Sequence, residues 1–278
     1  MWTVVRLFQT TAGLEGIEKT GGGRMRMGLI ACEVLRQELS AAMEPCGHTF
    51  FPVWMRQGLH DTPDLLRAQV QTEIARLEQA EPPLDAILLG YGLCGGGTAG
   101  LCAGNVPLVL PRTDDCIGIL LGSQERYLSF FHSRSGIYWF SAGWLTFADT
   151  PSESYYAEKL RDYAARFGEE DARWLLAEEN RWISQYQSGI YIRSPVGEDT
   201  DFEQQAQEAC AFCGWAFETT QGDNRLAGRL LSGRWDGRFL VCPPGCRVER
   251  DWDGGIFRAG GRQENEGDSK PEVVEVGQ

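Results

Sequence analysis

Short apolar runs alternate with longer amphipathic stretches in the first half of the chain, and this alternation limits the fold more than any other feature. The strand-like runs lie at 27–31, 49–54, 85–89 and 107–111. Amphipathic stretches at 33–43 and 63–80 separate the first three runs, and Thr62 and Pro63 suit the N-cap and first turn of the second helix. Strands that alternate with helices in this way predict βαβ units. We therefore expect an α/β fold built on a Rossmann-like parallel sheet.

The second half continues this pattern after an aromatic segment. Residues 136–147 (GIYWFSAGWLTF) are expected to form a strand or hairpin, and 152–187 to form two helices broken near Gly168. Further strands are expected at 189–193, 215–219 and 238–242, and further helices at 117–132, 201–213 and 224–232. Two α/β lobes or one wide sheet would both satisfy the pattern.

Glycine content and charge suggest where the folded part begins and ends. Three consecutive glycines at 21–23 precede the first clear strand, and the last residues are polar and acidic, which is typical of disorder. We divide the chain into an N-terminal appendage (1–24), an α/β lobe with the cysteine site (25–150), a second α/β lobe (151–258) and a disordered acidic tail (259–278).

The charge balance disfavours two classes of partner. The chain has 26 basic and 39 acidic side chains and a formal charge of −13. This charge repels nucleic-acid phosphates and anionic lipid headgroups, and no run approaches the ~18 uncharged apolar residues of a membrane span. The N-terminal segment lacks the apolar core and cleavage site of an export leader. We therefore expect a cytoplasmic protein that binds neither nucleic acid nor membrane.

Three of the nine cysteines follow predicted strands. Cys32, Cys94 and Cys116 come after the first, third and fourth runs. The carboxyl ends of parallel strands meet at one edge of the sheet, where open α/β folds bind ligands, so the three thiols are expected to converge. Three cysteines with one open position suit a catalytic zinc ion or an iron–sulfur cluster in which one iron lacks a cysteine ligand. Buried structural cysteines are the alternative.

The loop at 90–100 (GYGLCGGGTAG) surrounds Cys94 and is rich in glycine. Glycine permits positive φ and close backbone approach, and free amide groups in such a loop can bind an anion. We expect this loop to contact a substrate or cofactor through Gly92, Gly95, Gly96, Gly97 and Thr98. Because a strand followed by a glycine-rich loop is common in nucleotide and S-adenosylmethionine sites, a protein of that kind with structural cysteines is an alternative.

Charged residues precede Cys116. Arg112, Asp114 and Asp115 are candidate catalytic groups, since carboxylates beside a metal centre can act as general bases or as partners of its ligands. Helix capping accounts for one of the two aspartates. Two in a row beside an arginine exceed what a cap requires.

A second set of cysteines has the spacing of a structural zinc site. Cys210 and Cys213 form one pair, and Cys242 and Cys246 form another about thirty residues later. Packing of a helix face explains the first pair equally well. Cys46 and Cys102 are interpreted as structural.

The segments 30–39, 85–101, 107–127, 136–144 and 239–245 together resemble the DUF1638 family. The resemblance extends over roughly 27–250, and the cysteines shared by the family match Cys32, Cys94 and Cys116. Family members come from anaerobic bacteria and methanogenic archaea and often occur beside corrinoid-dependent methyltransferase systems, which implies a role in one-carbon metabolism. One departure is Asp114, which stands where the family commonly has histidine.

These observations lead to three functional hypotheses. The first is a metal-dependent enzyme of thiol- or methyl-directed chemistry, such as a methyltransferase, acting on a small molecule. The second is an accessory protein that carries a corrinoid or cluster for a partner methyltransferase. The third is the nucleotide or S-adenosylmethionine enzyme.

Overall fold

The computed structural model of the protein describes residues 5–10, 13–19, 23–196 and 200–261. The strands are β1 (Val5–Thr10), β2 (Gly13–Lys19), β3 (Arg26–Cys32), β4 (Thr49–Met55), β5 (Ala86–Gly90), β6 (Leu108–Pro111), β7 (Ile137–Phe140), β8 (Ser188–Arg193), β9 (Ala216–Gln221), β10 (Phe239–Cys242), β11 (Val248–Asp251) and β12 (Ile256–Ala259). The helices are α1 (Arg36–Met43), α2 (Pro63–Leu77), α3 (Cys116–Leu120), α4 (Gln124–Ser133), α5 (Ala142–Phe147), α6 (Glu153–Phe167), α7 (Glu169–Glu179), α8 (Thr200–Cys213) and α9 (Arg225–Leu231).

A five-stranded sheet in the order β10-β6-β5-β3-β4 forms the main core. Four of its strands run parallel, and β10 pairs antiparallel with β6 at one edge. Strands β3, β5, β6 and β10 consist largely of buried apolar residues, as expected for strands covered on both faces, whereas the edge strand β4 is mostly half-buried. The sequence-based prediction of an α/β fold with a Rossmann-like, mostly parallel sheet is confirmed.

Helices α1 and α2 cover opposite faces of this sheet. Gly28 on β3 lies against Leu77 of α2, and Gly90 on β5 lies against Leu39 of α1. Gly28 pairs with Ile87, three residues before Gly90, so the two glycines point to opposite faces because side chains alternate along a strand.

The strand order contains a topological switch between β3 and β5. The chain passes from β3 to β4 on one side and then returns to β5 on the other side of β3. Crossovers that leave a central strand in opposite directions open a crevice at the carboxyl ends of the two strands, where ligands of open α/β folds bind. This crevice lies between the end of β3 and the loop after β5.

A smaller parallel sheet in the order β7-β8-β9 packs around a second core. That core includes Phe140, Tyr191, Cys210 and Trp215. The sequence boundary that we placed at 150 does not separate the strands of the two sheets. Strand β7 precedes the boundary and lies in the smaller sheet, whereas β10 follows it and lies in the main sheet.

Three of the predicted elements differ locally from the sequence-based prediction. Residues 136–147 form β7 followed by helix α5, because the Ser141 side chain accepts a hydrogen bond from the Trp144 amide and caps a helix. The helix expected at 117–132 is divided at Gly122, which has φ of +79°, and Ser123 caps the second part. Thr62 occupies the N-cap position of α2 but its side chain makes no capping hydrogen bond there.

The ends of the chain are described only in part. Strands β1 and β2 form an antiparallel hairpin within the segment that we called an appendage. Strands β11 and β12 form a second hairpin that we did not expect. The predicted acidic tail lies outside the described residues from 262 onward. No helix in the described part of the chain is long and apolar enough to cross a membrane.

Candidate functional site

One cavity of about 510 Å³ is lined by Cys32, Cys94 and Cys116. Cys32 is the last residue of β3, Cys94 lies in the loop after β5, and Cys116 begins α3 just after β6. The cavity therefore opens at the carboxyl edge of the main sheet, beside the switch between β3 and β5. The structure brings together the three thiols that we expected to converge.

Backbone hydrogen bonds join the two loops that carry Cys94 and Cys116. The amide of Leu93 donates to the carbonyl of Thr113 at 2.9 Å, and the amide of Cys94 donates to the carbonyl of Asp114 at 2.8 Å. Gly92 permits this approach, because a Cβ atom there would lie 2.6 Å from the Thr113 oxygen. Absence of a side chain at Gly92 thus lets the loops meet.

Cys94 has a strained backbone. Its φ is +46°, in the left-handed region that residues with a Cβ atom rarely adopt. Such a conformation costs about 1–3 kcal/mol and tends to occur at functional sites. The hydrogen bond from its amide to Asp114 helps to hold Cys94 in this conformation.

The three thiols lie in a poorly solvated environment. Burial raises the pKa of Cys32 to about 11 and raises the pKa of Cys94 and of Cys116 as well. Negative charge on neighbouring groups adds to the effect, with Asp115 acting on both Cys94 and Cys116. The site therefore favours neutral thiols until a cation compensates the charge.

A buried phenol lies among the thiols. Tyr91 follows β5, is 3% exposed and lines the same cavity. Its hydroxyl is buried and makes no hydrogen bond within the described ranges. Burial raises the pKa of Tyr91, and the charges of the three cysteines act in the same direction. An unsatisfied buried hydroxyl is costly, so this one marks a place where a ligand atom or a water molecule would gain a hydrogen bond.

The three predicted catalytic residues separate into two groups. Asp114 and Asp115 line the thiol cavity, whereas Arg112 lines a different one. The Arg112 guanidinium donates to the carbonyls of Gly255 and Phe257, in the segment that includes β12. Arg112 therefore anchors this segment and does not face the thiols.

The two aspartates also differ from each other. Asp115 caps α3 by accepting from the Ile117 amide at 2.9 Å, and its other oxygen accepts from the Tyr127 hydroxyl at 2.9 Å. Burial raises the pKa of Asp115. Asp114 accepts one side-chain hydrogen bond, from Gln124 at 2.6 Å. Helix capping thus accounts for the presence of Asp115. Asp114 is the carboxylate that is more available to a ligand in the cavity.

Most of the predicted binding residues of the glycine-rich loop serve packing. Only Gly95 of the five lines the cavity. Gly97 lies against Leu66, and the buried Thr98 hydroxyl donates to the Gly92 carbonyl at 2.9 Å. The amides of Gly96 and Gly97 donate to carbonyls within the loop. These amides are therefore not free to bind an anion.

Several cavity residues escaped the sequence analysis. His60 lies in a short 3₁₀ helix after β4. Its position just beyond the second of the four strand-like runs was the signal that could have identified it. Aromatic side chains form one wall of the cavity. They are Tyr138, Trp139, Trp144 and Tyr186. The first three belong to the aromatic segment noticed in the sequence, but nothing in the sequence placed them beside the cysteines.

The described residues contain no group of three or more histidine, cysteine, aspartate or glutamate side chains disposed to hold a metal ion as they stand. Metal binding by the three thiols would therefore require their side chains to move together. All nine cysteines are free thiols.

The second set of cysteines is split between two cores. Cys210 and Cys213 belong to the core of the smaller sheet, and Cys242 and Cys246 belong to that of the main sheet. Burial raises the pKa of Cys242 to about 12, and Cys246 and Cys102 are the thiols near enough to contribute to this rise. The structure does not assemble the two pairs into one zinc site.

Comparison with known proteins yields one match. A family model described as "Protein of unknown function (DUF1638)" matches residues 54–231, which is more than half of the chain. Cys94 and Cys116 lie inside the matched range, and Cys32 lies before it. No curated protein and no solved structure matches the chain.

Proposed function

The chain belongs to the DUF1638 family, and we propose that it is a metal-binding protein in which Cys32, Cys94 and Cys116 hold an iron–sulfur cluster or a zinc ion. The observation that carries the proposal is that three cysteines from three separate strand ends line one cavity. Thiolates are preferred ligands of both zinc and iron–sulfur clusters. A set of three leaves a position open for a substrate.

The electrostatics of the cavity support this proposal. Three buried thiols with raised pKa values are a poor arrangement for free thiolates. A bound cation reverses this preference, because coordination deprotonates a thiol and neutralises its charge. The unsatisfied hydroxyl of Tyr91 could then donate to a coordinated sulfur or to a substrate atom. The unsatisfied Tyr91 hydroxyl is costly in an empty site and would be satisfied in a filled one.

His60 is the candidate for a fourth protein ligand or for a proton acceptor. It lines the cavity, and its ring stands beside Trp144 with the centroids 6.5 Å apart. Imidazole is a preferred zinc ligand and the side chain best suited to proton transfer near neutral pH. The DUF1638 family commonly has histidine at the position where this chain has Asp114. His60 would supply the cavity with an imidazole in its place.

We propose thiol- or methyl-directed transfer on a small molecule as the chemistry, in one-carbon metabolism linked to corrinoid methyltransferases. When bound, the metal would lower the pKa of an acceptor thiol and present it as a thiolate. Asp114 would accept the proton that the thiol loses. The aromatic wall of Tyr138, Trp139, Trp144 and Tyr186 would enclose an apolar group and exclude water.

A role as an accessory protein for a corrinoid protein or methyltransferase uses the same cavity and makes a different prediction. Isolated protein that transfers a methyl group to a thiol would support the enzyme. Co-purification with a methyltransferase and no turnover by the isolated chain would support the accessory role. Nine free thiols suit the reducing cytoplasm, where we propose that the protein resides.

Binding of a nucleotide or S-adenosylmethionine by the glycine-rich loop has less support, since the loop amides of Gly96 and Gly97 are already used. Calorimetric titration with S-adenosylmethionine tests it directly. We expect no heat of binding when S-adenosylmethionine is added to the protein.

Metal analysis of protein purified without oxygen tests the proposed function. We expect either iron with sulfide and the visible absorption of iron–thiolate charge transfer, or about one equivalent of zinc. Serine variants of Cys32, Cys94 and Cys116 should each lose at least nine tenths of the metal. Cys46→Ser is the matched control, because the Cys46 thiol donates to the Ala42 carbonyl within its own helical segment. Full metal content in all three variants would refute the proposed site.

A further inference from the structure

The outer face of α9 carries an arginine-rich cavity that the proposed function does not use. Four arginines line it, together with Gly122, Ser123, Gly228 and Ser232. The four are Arg225, Arg229, Arg234 and Arg238. The cavity has a volume of about 640 Å³, which lies within the usual range for small-molecule sites.

Helical periodicity explains how the cavity arises. Leu226, Ala227, Leu230 and Leu231 are buried and hold α9 on the main core. Residues three and four apart share a face of a helix, so Arg225, Gly228, Arg229 and Ser232 form the opposite face. Gly228 leaves a gap between the arginines, because a Cβ atom there would meet nothing within 4 Å.

Carboxylates neutralise only part of this charge. Asp223 pairs with Arg225, and Asp236 pairs with Arg238 at 2.5 Å and with Arg229 at 3.6 Å. The hydrogen bond from Arg238 lowers the pKa of Asp236 to about 2. Arg234 has no ion-pair partner in the part of the chain that the structure describes. Four guanidinium groups thus face two carboxylates.

Neighbouring charges do not cancel the surplus. Glu125 acts on Arg238 from the adjoining cavity, but Arg126 acts on Asp223 with the opposite sign. The Arg126 guanidinium donates to the carbonyls of Leu121 and Gln221 and to the Thr220 hydroxyl. The local charge is therefore positive on a chain with a formal charge of −13. The clustered arginines are exposed and remain available to an anion from solution, and a bound anion would reduce their mutual repulsion.

We propose that this cavity binds the phosphate chain of a small polyphosphate ligand, such as pyrophosphate or the triphosphate group of a nucleotide. The guanidinium group binds phosphate oxygens in a two-pronged geometry. A cavity of this size with several arginines can hold two or three linked phosphates, and each would meet a different guanidinium. The overall acidity of the chain disfavours a nucleic acid as the source of the phosphates.

Calorimetric titration of the full chain with inorganic pyrophosphate and triphosphate tests the proposal. We expect both to bind, triphosphate more tightly, and sulfate at equal concentration to bind at least tenfold more weakly. ATP that binds more tightly than triphosphate would identify a nucleotide as the ligand, and equal binding would identify the phosphate chain alone. No heat with any phosphate at millimolar concentration would overturn the proposal.

Two substitutions test whether triphosphate binds in the arginine-rich cavity. Arg234→Glu reverses the unpaired charge, and Gly228→Glu places a carboxylate in the gap. Each should weaken triphosphate binding at least tenfold, and thermal unfolding should verify that both variants are folded. Arg173→Glu is the charge-matched control, since Arg173 pairs with Glu169 on α7, away from this cavity. Equal binding by Arg234→Glu, Gly228→Glu and the unsubstituted chain would also overturn the proposal.

This inference does not depend on the proposed metal site. The serine variants of Cys32, Cys94 and Cys116 should bind triphosphate as the unsubstituted chain does. Loss of metal with retained triphosphate binding in these variants would support both sites, whereas unchanged metal content with retained triphosphate binding would refute the metal site alone.

Discussion

The hydroxyl of Tyr127 donates a 2.9 Å hydrogen bond to Oδ2 of Asp115, while the Ile117 amide donates to Oδ1 of the same carboxyl group. This arrangement fixes the start of α3 and with it the position of Cys116. The cavity beside Cys116 contains a second phenol, Tyr91, whose buried hydroxyl has no hydrogen-bond partner in the described chain. Removal of the hydroxyl group is therefore expected to have opposite effects on stability at Tyr127 and at Tyr91.

Tyr127→Phe should destabilise the metal-free protein by about 1–2 kcal/mol, because a partly buried carboxyl group loses its hydrogen-bond donor. Tyr91→Phe should leave stability unchanged or raise it by about 1 kcal/mol, because an unsatisfied hydroxyl is removed. Urea unfolding of the two metal-free variants provides the comparison. A larger loss for Tyr91→Phe than for Tyr127→Phe would contradict this account of the cavity.

Gly92→Ala should cost about 2–3 kcal/mol, because the added methyl group meets backbone atoms of Thr113 and Asp115 that cannot yield without separating the two loops. Gly228→Ala is the matched control. It lies within α9 with open space around it, so the substitution should raise stability by up to about 1 kcal/mol through helix propensity. Thermal unfolding of both variants tests the contrast, and similar effects at the two glycines would argue against close packing at Gly92.

Backbone strain at Cys94 predicts that a glycine variant at this position is more stable than an alanine variant. Because φ is +46° there, Cys94→Gly should be more stable than Cys94→Ala by about 0.5–1 kcal/mol. At Cys32, where φ is −61°, alanine should be the more stable of the two by about the same amount. Chemical denaturation of the four metal-free variants measures both differences. The same order at the two positions would show that Cys94 is not strained.

The raised pKa of Cys242 predicts that the protein loses stability in alkaline solution. Burial raises its pKa from the ordinary 9.0 to about 12, so the unfolded chain releases this proton at a lower pH than the folded chain. The stabilising contribution is complete below pH 9 and is lost as the pH rises towards 12. The slope is at most about 1.4 kcal/mol per pH unit.

Cys242→Ala should therefore show a shallower decline of unfolding free energy above pH 9 than the unsubstituted chain. Val241→Ala is the control, since it shortens a buried side chain on the same strand without removing a titrating group. Its decline with pH should match that of the unsubstituted chain. Identical slopes for all three proteins would mean that Cys242 does not titrate differently on unfolding.

Local sequence patterns are sufficient to predict the parallel strands of the main sheet and to place the three thiols at its carboxyl edge. Apolar runs identify β3, β5 and β6 because strands covered on both faces need apolar residues throughout, and the apolar run at β4 identifies a half-buried edge strand. Parallel strand ends meet at one edge, so cysteines placed just after three of them are expected at that edge, and the adjacency of β3, β5 and β6 then brings them together. The break near Gly168, which has φ of +87°, was also predictable from the sequence.

Which other groups lie beside the thiols depends on how the whole chain packs. The order of the strands selects the crevice between β3 and β5, and strand order depends on long-range packing that no local pattern encodes. The same holds for Arg112, whose sequence position beside Asp114 suggested a shared site although its side chain anchors the β12 segment. Tyr91, His60 and the arginines around Gly228 acquire their roles from neighbours distant in sequence. Side-chain environment is a property of the packed molecule, because burial and charge depend on every element that surrounds a group.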